Sequence, residues 1–427
     1  MIEEDRHFTA ELAVIGTGLA GFAASIFALK RDIKTAQIGN TGAVAYTTGY
    51  LDLLGSLSPD YPTSIEDPWQ GIEQLKSSHP NHPLCRIRKT DICTAFEQFT
   101  SFLGECGIAY TPPGKSNLSV LTPAGTLKPT LCIPSTMKVG STAFSQKEPC
   151  VIIDFKGLKG FSGRQVVANL KDKWPRLSSS RIEFPDMVTG EIYPEVMARS
   201  LEVPATREKL AKILVEAAGD VKIIGLPAIL GMHAPDLVRQ EMEQLTGLQI
   251  FEIPTMPPSV PGIRLREMFE QLFPQKGVIL VPQQKVDKLE FIKNGAQLSL
   301  SDSFGPITIH SKSVILATGR FLSGGLKARI DGINEPLLNL PVTQPDSRRE
   351  WYREKYTDYR GHAINSAGIE VDSSFRPLDT RGRPYSRNLF AAGVILAHQD
   401  WIRGRCGAGV AIATAYKAVE EVEKLLT

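Results

Sequence analysis

The residues that first suggest chemistry are glycines. Gly16, Gly18 and Gly21 form G-x-G-x-x-G within VIGTGLAGF. The first glycine permits a tight turn, the second lets backbone approach a phosphate, and the third lets a helix pack on its strand. Leu19 and Ala20 complete a helix start whose free amides and dipole hold an anion. The pattern is weak alone. It gains specificity from its place between a buried strand, Phe8 to Ile15, and an apolar helix, FAASIFALK. Two further glycines end strands, Gly319 in SVILATG and Gly393 in NLFAAG. The second leads into RGRCGAGVAIATA, where Gly404, Gly407 and Gly409 open the last helix. With Ala408, its first amides suit the pyrimidine edge of a reduced flavin, which carries negative charge.

The three glycine motifs, in this order, resemble flavoproteins of the glutathione-reductase and fumarate-reductase type. In such folds a carboxylate after the second strand binds the ribose hydroxyls of the adenosine half. Here that position falls near Gly39, and no Asp or Glu lies between Asp32 and Asp52. Two readings stay open. Backbone and polar groups such as Asn40 and Thr41 hold the ribose of FAD, or the cofactor is FMN and there is no adenosine to hold.

The elements that must position these motifs lie at the two ends of the chain. Thr35 to Ile38 reads as a second strand, completing a βαβ opening. GIRLREMFEQLFPQKG reads as an amphipathic helix with Leu265, Met268, Phe269 and Leu272 on one face. VILVP, VDKLEFI and AQLSL read as a β-meander with a turn at Asn294-Gly295. The fold expected is α/β: a discontinuous Rossmann-like flavin domain from residues 1–57 and 258–427. Residues 58–257, richer in proline, form an inserted α+β domain for substrate, capping or subunit contact.

A chain of 427 residues suits two or three domains. Its 48 basic and 46 acidic residues leave a net charge of +2, which argues against a nucleic-acid partner. Six scattered cysteines make no CxxC pair and no metal spacing, and read as reduced cytosolic thiols. No metal site is expected. MIEEDRHF lacks a secretory signal, and no window approaches a membrane span. Any membrane association is therefore expected to come through another chain.

Longer stretches narrow the resemblance. YTTGYLDLLG, IPTMPPSVPGIRL, LATGRFLSGGL, NEPLLNL and GRCGAGV resemble the B subunit family of bacterial anaerobic glycerol-3-phosphate dehydrogenases, end to end and in the same order. The resemblance implies a flavin subunit, described as FMN-binding, with Thr48 and Gly49 among its cofactor contacts. It implies partners: an FAD-containing A subunit and an iron–sulfur C subunit that reaches the membrane, so that this chain is cytoplasmic and peripheral to the inner membrane. It also implies oxidation of sn-glycerol 3-phosphate to dihydroxyacetone phosphate, with electrons passed to quinone and on to fumarate or nitrate. The alternatives are a relay or scaffold beside a catalytic A subunit, and a stand-alone dehydrogenase for another small anion. The chain departs from the family pattern at Ala397-His398, where a glycine pair is expected, and at the more basic Arg403-Gly404-Arg405.

Oxidising an alcohol by hydride transfer needs a base near the hydroxyl and cations near the phosphate. His398 is the candidate base. Arg264, in the distinctive turn before a helix, and Arg405, beside the last helix, are the candidate cations. Arg320 and Arg376 read as interdomain or surface cations, Cys406 as a small residue in a turn, and His233 and His310 as structural.

Overall fold

The computed structural model describes residues 6–57, 64–187, 189–358 and 360–427. The chain divides into two compact units. One comprises Met1–Val44, Asp52–Phe99 and Phe269–Thr427; the other comprises Ala45–Leu51 and Thr100–Met268.

The first unit is built on the expected βαβ opening. Strand β1 (Arg6–Ile15), helix α1 (Leu19–Leu29) and strand β2 (Thr35–Gly39) follow one another, and the strands pair in parallel from Leu12–Thr35 to Ile15–Ile38. Helix α1 has no polar stripe because Ala20 through Ala28 are all buried. Strand Gly305–Leu316 flanks β1 on its other side, in parallel register from Arg6–Ile307 to Ile15–Leu316. Strand Leu389–Ala391 pairs in parallel with the end of Gly305–Leu316. All these strands run the same way, so the turns after Ile15, Gly39, Leu316 and Ala391 leave the sheet at one edge. That carboxyl edge is where open α/β sheets bind ligands.

The meander forms, with one change of membership. Its strands are Lys288–Ile292, Gly295–Asp302 and Gly305–Leu316, all antiparallel neighbours. VILVP, expected as its first strand, instead supplies Ile279–Pro282, parallel to β2. It follows a helix rather than a hairpin turn, and a helical crossover returns a strand in parallel. The C-terminal helix Gly407–Leu426 lies along α1, with Phe27 edge-on to Tyr416 at 5.2 Å and Arg31 Nε 2.9 Å from Glu423.

The units are drawn differently from the expected breaks at 57/58 and 257/258. Residues 52–99 belong with the glycine motifs. The amides of Gly55 and Ser56 donate to the Gly404 carbonyl at 2.9 and 3.1 Å. Helix Pro68–Ser78, capped by Asp67, follows in the same unit.

The second unit has its own core and sheet. Strands Leu177–Ile182, Cys150–Phe155, Ile223–Pro227 and Gln249–Ile253 lie side by side in that order, and every pair is parallel. An α+β mixture was expected. The hairpin Leu118–Leu121/Leu127–Thr130 and isolated bridges such as Tyr110–Pro134 are antiparallel, while the main sheet is parallel because helices such as Gly163–Leu170 and Pro235–Thr246 separate its strands. Trp174 and Phe251 anchor the core, and the Trp174 indole N–H donates to the Glu148 carbonyl at 2.7 Å. Among the described residues no helix is long and apolar enough to cross a membrane.

Candidate functional site

The first glycine loop has the geometry its spacing demands. A methyl group on Gly16 would sit 2.1 Å from the Ala317 carbonyl oxygen, and one on Gly21 2.0 Å from that of Gly16. Neither neighbour can give, because both are backbone. Gly18 differs: a methyl there would meet only the Ala43 side chain at 3.9 Å. Its open side and the uncapped start of α1, with the amides of Leu19 and Ala20, form an anion cradle. The Thr17 hydroxyl inside the loop is buried and has no hydrogen-bond partner among the described residues. Below the loop, the Gln37 amide donates to the Gly16 carbonyl at 3.0 Å and accepts from the Ser25 hydroxyl at 2.9 Å.

The end of β2 explains the missing acid locally. Gly39 presses on the loop so closely that a methyl would lie 3.0 Å from the Thr17 amide nitrogen. Asn40 follows it, exposed. The Thr41 side chain lies outside the described residues.

The other two motifs close around the same sheet edge. Gly319 follows Thr318, whose hydroxyl is also buried without a partner among the described residues. The Gly393 amide donates to the Thr414 hydroxyl at 2.8 Å, and a methyl on Gly393 would reach Ala20 at 2.6 Å. On the loop that follows Gly393, the side-chain oxygen of Gln399 is buried and likewise meets no donor. Arg320 ties these loops together. Its guanidinium donates to the carbonyls of Val394 at 2.6 Å, Leu396 at 3.1 Å, Gln399 at 2.9 Å and also Asn365. Burial lowers its pKa to about 10. At the last helix the expected set of free amides is smaller, because Gly409 donates to the Asp52 carbonyl at 2.7 Å. The amides of Gly407 and Ala408 remain for a ligand.

The three candidates for chemistry fare differently. Arg264 belongs to the second unit and is sealed within it. Its guanidinium pairs with Glu252 at 2.7 and 2.8 Å and donates to the Gly231 carbonyl at 2.8 Å. The two side chains are 1% and 0% exposed. Three of its five N–H groups are engaged and the side chain is buried, so Arg264 serves here as the partner of Glu252. Burial pushes the Glu252 carboxyl upward, but the charge and hydrogen bonds of Arg264, with those of Thr136 and the Leu230 amide, hold it below the usual carboxylate range.

His398 and Arg405 lie in the first unit, on the loop before the last helix. Both adopt left-handed backbone, at φ 62° and 47°. The His398 Nε2 pairs with Glu370, which also accepts from the Thr343 hydroxyl at 3.1 Å, while Nδ1 has no partner among the described residues. Arg405 is half-buried, and its guanidinium has no hydrogen-bond partner among the described residues.

The remaining residues read as structure. Thr48 and Gly49 belong to the second unit, where the Gly49 carbonyl accepts from Tyr110 at 2.8 Å. Arg376 pairs with Asp372. His310 lies 3.2 Å from Gln297. Cys406 is fully buried with its sulfur 3.9 Å from His82 Nε2. Thr17, Thr318, Gln399, Glu370 and His82 escape a reading of the sequence. The threonines carried a signal, since each stands inside a glycine motif. Glu370 and His82 had none, because their partners His398 and Cys406 are remote in sequence, and Gln399 had none, because its unmet oxygen shows only in the folded loop.

The orphaned polar atoms of Thr17, Thr318 and Gln399, on three converging motifs, fit a bound group rich in hydroxyl, amide and phosphate functions. Comparison with known proteins agrees. The chain matches the FAD binding domain family over residues 11–410 and belongs to it. It is 29% identical to the B subunit of the anaerobic glycerol-3-phosphate dehydrogenase of Vibrio vulnificus (strain YJ016), covering 96% of this chain and 95% of that one. The corresponding B subunit of Aliivibrio fischeri (strain MJ11) is likewise 29% identical, over 96% and 94%. That of Yersinia pestis bv. Antiqua (strain Antiqua) is 28% identical, over 96% and 97%. The chain is a flavin-dependent oxidoreductase of the α/β class, similar to subunits of a dehydrogenase complex.

Proposed function

We propose that this chain is the flavin subunit of an anaerobic sn-glycerol-3-phosphate dehydrogenase and that its flavin is FAD. The observation that carries the reading is similarity along nearly the whole chain to subunits of that name, joined to an intact phosphate loop. The family match favours FAD, and FMN rests only on the resemblance drawn from the sequence. On this reading Gly16, Gly18, Leu19, Ala20 and Gly21 hold the pyrophosphate, and Asn40 and Thr41 serve the ribose without a carboxylate. Gly319, Gly393, Gly407 and Ala408 lie along the ring. Bound flavin supplies the hydride acceptor.

The chain's own residues then do two things. His398, fixed by Glu370 at one nitrogen, takes the hydroxyl proton at Nδ1. Arg405 supplies a cation for the phosphate, having no carboxylate partner among the described residues. The complex is completed by an FAD-containing A subunit and an iron–sulfur C subunit that carries electrons to membrane quinone, with fumarate or nitrate beyond. This chain then sits on the cytoplasmic face of the inner membrane through those partners.

One observation favours a second reading, a relay that oxidises nothing itself: the buried Arg264–Glu252 pair removes one of two candidate phosphate cations. Anaerobic mixing of the purified flavoprotein with sn-glycerol 3-phosphate separates them. Bleaching of the flavin supports dehydrogenation by this chain, and an unchanged spectrum supports the relay. Acid release of the flavin and chromatography against FAD and FMN decide the cofactor.

A further inference from the structure

Gln399 has a conflict that the protein alone does not resolve. The side chain is 1% exposed. Its Nε2 donates to the carbonyls of Val394 at 3.2 Å and Leu396 at 3.1 Å. Those two acceptors fix the orientation of the amide, because a flipped group would set oxygen against oxygen. The oxygen Oε1 is therefore a true acceptor, and it is buried with no donor among the described residues. Leaving such an atom unmet costs roughly 1–3 kcal/mol, so a missing donor is the simplest explanation.

The position of Gln399 says where that donor comes from. It stands on the loop between Gly393, which packs on Ala20 of α1, and the start of the last helix. Arg320, next to Gly319, holds the Gln399 carbonyl. The residue is thus tied to two of the three glycine motifs. At the start of the last helix, which this loop leads into, the amides of Gly407 and Ala408 have no acceptor among the described residues. A ligand edge that suits both must offer a donor flanked by carbonyls. The oxidised isoalloxazine ring has one such edge, with its single N–H at N3 between the C2 and C4 carbonyls.

We propose that Gln399 Oε1 accepts the N3–H of the bound flavin and so selects and orients the pyrimidine edge. This rests on the flavin reading but not on any substrate. The test compares binding of FAD and 3-methyl-FAD, which lacks that N–H, to apoprotein; the FMN pair is used if extraction gives FMN. Wild type is expected to prefer the natural flavin by on the order of tenfold. In Q399L the preference falls to within about threefold, with the loss confined to the natural flavin. Q399E keeps an acceptor while losing both amide donors, and keeps the preference.

If Gln399 only braces Val394 and Leu396, Q399L weakens both flavins alike and the ratio stays at its wild-type value, which overturns the proposal. A wild-type ratio near one overturns it too, and assigns the orphan oxygen to a ribityl hydroxyl or to water. Should Q399L fail to take up flavin, wild type and Q399E decide alone. Failure of wild type to bind either flavin would remove the flavoprotein reading itself, a result distinct from equal binding of both.

Discussion

Replacing Arg264 with leucine should unfold the second unit readily without touching flavin chemistry. The variant leaves the Glu252 carboxylate, 0% exposed, without the partner that meets it at 2.7 and 2.8 Å. Thr136 at 2.7 Å and the Leu230 amide at 2.7 Å remain, and they are too few for a buried charge. Breaking a buried pair from one side costs about 3–5 kcal/mol, a large part of the stability of one domain. Removing both charges in R264M/E252Q should cost less, by roughly 2 kcal/mol, since no uncompensated ion is left. Urea unfolding followed by circular dichroism measures this. The pH dependence adds a signed check. Glu252 is held below its unfolded range in the wild type, so its contribution is present above the unfolded pKa of about 4.3 and is lost as pH falls through the folded value. In R264L burial acts without its counterweight, and the carboxyl can shed its charge by binding a proton. The gap between variant and wild type should therefore narrow as pH falls. Unchanged stability together with lost reduction by sn-glycerol 3-phosphate would refute the structural account and return Arg264 to the substrate.

Other outcomes follow from the same structure. G16A should lose flavin and about 1–3 kcal/mol of stability or more, because a methyl group 2.1 Å from a backbone oxygen must displace the strand end; G18A, with open space beside it, should keep the fold and weaken only phosphate affinity, as thermal melts and flavin titration would show. Burial pushes the His82 pKa down to about 3, so its neutral form is stabilised above its unfolded value near 6.5 and the first unit should lose stability as pH falls from there toward 3; H82N should flatten that slope in melts taken across this range. R320K removes the guanidinium fork that ties the Gln399 and Asn365 carbonyls and shares those of Val394 and Leu396, and should raise the flavin dissociation constant roughly tenfold or more, measured by fluorescence on titrating apoprotein. H398G should relieve a left-handed non-glycine residue and keep flavin, yet slow substrate bleaching by about 10²-fold if the imidazole takes the proton; an unchanged rate in stopped-flow would assign the proton elsewhere.

Much of the flavin fold was legible in the sequence because it is written locally. A buried strand, a glycine triplet and an apolar helix with no polar face can close only as a βαβ turn, and Gly16 and Gly21 take the close contacts their spacing foretold. The apolar face of helix Val260–Gln275 and the turn before Gly295 were equally readable from period and turn chemistry. The partition into units was less so. Residues 52–99 carry no local mark of allegiance, and long-range contacts draw them to the chain's far end: Gly55 and Ser56 with the Gly404 carbonyl, Asp52 with the Gly409 amide, and His82 with Cys406.

The site divides along the same line. Sequence alone determined that a glycine turn with an uncapped helix start opens α1, and that β2 ends on Gly39-Asn40 with no acid, because both depend on residue types a few positions apart. Tertiary structure decided what each charged side chain is for. Arg264 and Arg320 look alike as cations beside motifs, but one is committed to Glu252 and the other to carbonyls of a remote loop. It also singled out Gln399, whose unmet oxygen has meaning only once its neighbours are known. Periodicity and spacing report short-range geometry, whereas the role of a buried polar group is set by partners that can lie a hundred residues away.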